Sequence, residues 1–156
     1  IIVSRKRLDA ISILTQQRGA ALVEAAIILP VFLLMLFGII EFSLVLYNQQ
    51  VINNAAREGA RAGIIVRETR LSDGEIRNVV ALFARNNLVT FGADNFADAA
   101  IVIQRPDPAP IDFGDRLIVT ANYTYGFLVV PQIVQLLGLN IDTTIDLTAT
   151  ARMEME

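Results

Sequence analysis

The chain contains no cysteine and no histidine, and its one lysine is Lys6. Disulfides, Cys/His metal centres and imidazole bases are thereby excluded, although the missing thiols say nothing about compartment. Catalysis would have to rest on a carboxylate pair or a Ser/Lys site, and the lysine lies at the N-terminal end, so no enzymatic activity is expected. No Gly-rich phosphate motif appears. A basic stripe is also missing: residues 48–156 carry nine Arg against thirteen acids, net −4, which argues against nucleic acid. Asp94, Asn95, Asp98, Asp107, Asp112 and Asp115 fit the spacing of no calcium loop and read as solvated turns. No cofactor, metal or small-molecule substrate is expected.

What the sequence has in excess is apolar character. Hydrophobic residues make up 54% of 156 positions, and the mean hydropathy of +0.51 is too high for an ordinary soluble domain of this size. The excess is concentrated. Residues 25–40 read AAIILPVFLLMLFGII, sixteen residues without a charge. A helix of that length spans only about 24 Å, short of a bilayer core of about 30 Å, whereas residues 25–47 give about 35 Å. A buried helix of a soluble protein is the weaker reading, because the remaining hundred or so residues lack a surface to cover it on all sides. A cleaved secretory signal fits poorly too, since Tyr47-Asn48-Gln49-Gln50 offers no small-x-small site. Residues 1–19 carry four basic side chains against Asp9, net +3. The positive-inside rule therefore predicts a cytoplasmic leader (1–19), a single membrane span (20–47) and a non-cytoplasmic domain (48–156).

Two acids and a proline make this span more than a tether. Glu24 sits at its inner boundary and Glu41 about 9 Å below Tyr47, and an ionised acid near a helix centre costs on the order of 3 kcal/mol. Partners are expected for both. Pro30 removes a backbone donor and is expected to kink or loosen the helix over residues 26–30, with Gly38 as a second weak point.

Arg18-Gly19-Ala20-Ala21-Leu22-Val23-Glu24-Ala25-Ala26, the apolar run with Pro30, Gly38-Ile39-Ile40-Glu41-Phe42, and residues 54–63 (NAAREGARAG) together resemble the TadE-like family. Residues 119–128 and 145–155 are loosely similar to that family's closing strands. Its members are minor pilins, or pseudopilins, of the tight-adherence (Flp) branch of type IV filament systems. The resemblance implies a structural assembly protein of the bacterial inner membrane with a periplasmic C-terminal domain, possible incorporation into a pilus, and as partners other pilins, a prepilin peptidase and the pilus assembly platform. It implies cleavage between Gly19 and Ala20, which makes Glu24 the fifth mature residue and a registry charge for the new α-amino group of Ala20 on a neighbouring subunit. Pro30 and Glu41 are further candidates for assembly. Major Flp pilins commonly place Tyr after this Glu; Ala25 stands here instead, which favours a minor component. The competing reading keeps Gly19 and Glu24 as interface residues of an uncleaved anchor, whose outer domain scaffolds a secretion complex or binds a ligand.

Beyond Tyr47 the helix is predicted to continue, since Val51/Ile52, Ala55/Ala56, Gly59/Ala60 and Gly63 recur at helical spacing. This small-residue stripe invites close approach of another backbone. Arg57, Glu58 and Arg61 form a charged face, either solvated or in contact with another subunit. Ser72-Asp73-Gly74-Glu75 is a capping box opening a second helix with an Ile76, Val79, Val80, Phe83, Ala84 core stripe. Strands are predicted at 100–104, 117–125 and 145–155, the last two as an antiparallel pair with one wet face, separated by a short helix over 131–137 that Gly138 ends. The expected fold is pilin-like α+β: a long N-terminal transmembrane helix continuing into an ectodomain with a second helix and a small antiparallel sheet.

Overall fold

The computed structural model describes residues 3–65, 70–90, 96, 100–105, 116–136 and 138–154, with backbone alone for 3–18 and 20. The elements are α1 (Val3–Ile64), α2 (Asp73–Asn87), β1 (Ile101–Gln104), β2 (Arg116–Gly126), α3 (Val130–Leu136) and β3 (Thr144–Glu154). The chain is α+β as expected, a long apolar N-terminal helix followed by a second helix and a three-stranded antiparallel sheet. It divides into two compact units, residues 1–40 and 41–156.

Within the first unit, α1 is helical through Pro30 without a break. A proline costs the helix one hydrogen bond, to the carbonyl of residue 26, and the bonds on either side keep the helical path. Every described side chain from residue 21 to 40 is exposed.

The second unit has an ordinary core. Its sheet runs β1-β2-β3, with β2 central. Val119 faces Ile103 on one side and Ala151 on the other. Alternation along β2 buries Leu117, Val119, Ala121, Tyr123 and Tyr125, and its partner buries Leu147, Ala149 and Ala151. Ile145, expected inward, is exposed at the end of β3. Against this face pack the small residues of α1 and the stripe of α2. Ile52, Ala55, Ala56, Ala60, Ile76, Val80 and Ala84 are fully buried. A Cβ built at Gly59 would overlap Val80 Cγ2 of α2 but lie at an ordinary 3.6 Å from Val119 Cγ1 of β2, so the glycine is what lets α1 and α2 approach closely here.

The helix ends follow local rules. Ser72 and Glu75 form the predicted capping box: Glu75 N–H donates to Ser72 Oγ at 3.3 Å, and Ser72 N–H to Glu75 Oε2 at 2.7 Å. The end of α3 is a Schellman motif, in which Gly138 at φ 67° donates to Gln135 O and Leu139 to Val134 O, both at 3.0 Å. Arg105 ties the end of β1 to the start of α2, its Nε 2.9 Å from Asp73 Oδ1 and its Nη2 3.1 Å from Leu71 O.

Candidate membrane anchor and assembly site

An apolar helix that buries nothing within its own chain needs another apolar environment. Leu22, Ile27, Val31, Met35 and Ile39 are among the side chains of residues 21–40 that stand largely exposed. From Ala21 onward the helix is long and apolar enough to cross a membrane, with a mean hydropathy of 2.6 in its best window. Transfer of apolar surface out of water is worth about 25 cal/mol per Å². Twenty such residues, about 30 Å of helix, therefore strongly disfavour an aqueous setting. An N-terminal helix of this kind suggests membrane anchoring. Glu24 is its one charged residue, on a face shared with Ala21, Ala25, Ile28, Leu29 and Phe32 that forms a shallow groove. Gly19 is exposed and a Cβ there would meet nothing within 4 Å. The side chain of Ala20 lies outside the described residues.

Glu41, expected in the membrane, has partners in its own chain. It is 3% exposed, and its Oε1 accepts the backbone N–H groups of Leu128 and of Val129, the latter at 2.6 Å. The reason lies in α3. Ile133 N–H bonds to Val129 O and so closes the first turn, but Leu128 and Val129 carry no side-chain acceptor for the amides that precede that turn. A carboxylate 87 residues earlier supplies it.

Two further buried polar groups lie in the same unit. Asn48, fully buried, exchanges a pair of bonds with Val89: Nδ2 to Val89 O at 2.9 Å and Val89 N to Oδ1 at 3.0 Å. That ties α1 to the segment following α2, and Tyr47 donates to the carbonyl of Asn87, the last residue of α2, at 3.2 Å. Asn48 was not singled out in the sequence, where nothing distinguishes it from Gln49 and Gln50. Tyr125 is the other, its hydroxyl buried with no hydrogen-bond partner among the described residues. Burial, then the charges of Glu41 and Tyr123, push its phenol above the ordinary 10.0. The unfolded chain therefore ionises this tyrosine first, and stability is lost as pH rises beyond about 10. Tyr125→Phe should remove that alkaline loss while leaving neutral-pH stability the same or higher, read from denaturation midpoints across pH.

Arg57 is exposed, and Arg61 lies 3.8 Å from Glu58 on the same surface. Such a pair is worth at most about 1 kcal/mol.

The apolar part of α1 suggests membrane anchoring, and an α+β domain with a three-stranded sheet follows it in the chain. Residues 19–61 match the family model described as TadE-like protein, so the chain carries a TadE-like segment beginning at Gly19 and ending in α1. That family associates the chain with a Tad pilus. All three strands lie outside the match. No curated protein and no solved structure matches the chain.

Proposed function

We propose that the chain is a minor pilin or pseudopilin of a tight-adherence (Flp) type IV pilus, held in the bacterial inner membrane by residues 21–40 with residues 41–156 on the periplasmic side. The observation that carries this reading is the TadE-like match at 19–61, which opens on Gly19 at the junction between basic leader and exposed apolar helix. Glu41 is engaged by its own domain, so the span is taken to end at Ile40. Its twenty residues equal the thickness of a bilayer core, about 30 Å.

In this reading a prepilin peptidase cuts between Gly19 and Ala20. A flexible residue without a side chain at the membrane face suits a protease that works there. The groove holding Glu24 between Ala21 and Ala25 is where a neighbouring subunit's apolar helix would approach, small residues allowing close contact. The freed α-amino group of Ala20 on that neighbour would offset the cost of the carboxylate in an apolar filament. Pro30 is the proposed weak point for leaving the bilayer. The protein acts through contacts with other pilins and the assembly platform rather than through catalysis.

Mass spectrometry of protein purified from membranes tests the central step. The expected mature N-terminus is Ala20, and Gly19→Val should retain the leader and abolish piliation. An intact leader in the unmodified protein, with piliation unaffected by Gly19→Val, would support the uncleaved anchor instead.

A further inference from the structure

The connection between β2 and β3 is unusually apolar for a surface segment. From residue 117 to 141 there is no charged side chain. Helix α3 has no buried residue. Leu136 is 86% exposed, and Leu128, Leu139, Ile141 and Ile145 are exposed as well. Four large apolar side chains on one connection, with Ile145 just inside β3, would form an uncovered patch in water, and such patches mark interaction surfaces. The connection is also fixed in place, because Leu128 and Val129 bond to Glu41. Glu41 is covalently next to Ile40, the last residue of the first unit.

We propose that α3 and its flanking residues lie in the bilayer interface beside the point where α1 leaves the membrane, as a second, shallow anchor. The occupant of the patch is lipid. This rests on the reading of residues 21–40 as a membrane span. Two observations favour lipid over a protein partner: the patch is bonded to the residue that follows the span, and its polar members between Leu128 and Ile141, Gln132, Gln135 and Asn140, are uncharged groups that an interface tolerates, the first acid, Asp142, standing at its edge. The nearest cations in sequence are Arg116 and Arg152, so insertion is driven by apolar burial rather than by anionic lipid, and salt should leave it unchanged. Glu41 then acts as a bracket that sets the domain's orientation on the membrane.

The chain contains no tryptophan, so single-Trp variants report depth without background. Full-length Leu136→Trp, Leu34→Trp and Asn78→Trp are reconstituted in phosphatidylethanolamine/phosphatidylglycerol vesicles, with and without bromines on the upper acyl chain. Asn78 is an exposed residue of α2. That helix packs on Gly59 and Gly63, about 27 Å of helix or more beyond Glu41. The expected result is blue-shifted emission and severalfold quenching by brominated lipid for Leu136→Trp and Leu34→Trp, and neither for Asn78→Trp. If Leu34→Trp is quenched while Leu136→Trp behaves like Asn78→Trp, the second anchor is wrong and the span stands. Blue-shifted but unquenched Leu136→Trp means that protein covers the patch, which also overturns the proposal. An unquenched Leu34→Trp removes the span and the second anchor with it.

Discussion

Glu41→Ala should destabilise residues 41–156 by about 2–5 kcal/mol, because it removes the shared acceptor of two amides. A buried donor left without a partner costs about 1–3 kcal/mol, and both Leu128 and Val129 donate to this carboxylate. Packing adds to the loss, since Glu41 is itself buried and alanine leaves a void. Glu41→Gln keeps an acceptor oxygen and loses only the charge assistance, about 1 kcal/mol. Denaturation midpoints in detergent micelles should therefore rank wild type, Gln, Ala. Hydrogen exchange should accelerate at Leu128 and Val129 before it does in β2. Equal midpoints for the Ala and Gln variants would mean that the two amides have found water, and the bracket would have no energetic weight. The same substitution should also loosen α3 from its place, so its effect on the Leu136→Trp signal provides a link between stability and orientation.

Gly59→Leu should cost about 3 kcal/mol, at the upper end of what overpacking does in a closed core. Helix propensity points the other way, since leaving glycine for a good helix former gains up to about 1 kcal/mol. Packing decides the sign. The new Cβ would overlap Val80 Cγ2, and Val80 is fully buried with a β-branched side chain that has few rotamers to retreat into. Gly63→Leu meets Leu117 Cδ2 and, at 2.7 Å, Ile76 Cδ1, the movable ends of longer side chains. It should cost less. Urea titration of the two variants in micelles gives the comparison, and a stabilised Gly59→Leu would show that α1 does not need its close approach to α2.

Much of this fold was legible because its signals are local. The capping box at Ser72 and Glu75, the end of α3 at Gly138, and the alternation along β2 and β3 each follow from a few neighbouring residues. The stripe from Val51 to Gly63 was readable as a close-packing face for the same reason. Ile145 broke the pattern because it lies near the end of its strand, where the core no longer covers it. Pro30 lies inside α1, which stays helical on both sides of it, since one missing bond in a long helix leaves its neighbours' bonds intact.

The candidate site divides along the same line. The length, hydropathy and charge asymmetry of the first forty residues pointed by themselves to an anchor, and the residues around Gly19 and Glu24 carried the TadE-like resemblance. The partner of Glu41 could not be read this way, because Leu128 and Val129 contribute backbone groups, which every residue possesses and which leave no mark in a sequence. Asn48 escaped for the same reason, being bonded to the backbone of Val89. Sequence alone fixed which residues are apolar, where α2 starts, where α3 stops, and which face of β2 points inward. Only the tertiary structure decided what Glu41 bonds to, because a buried carboxylate is settled by the donors that surround it, and those came from 87 residues away.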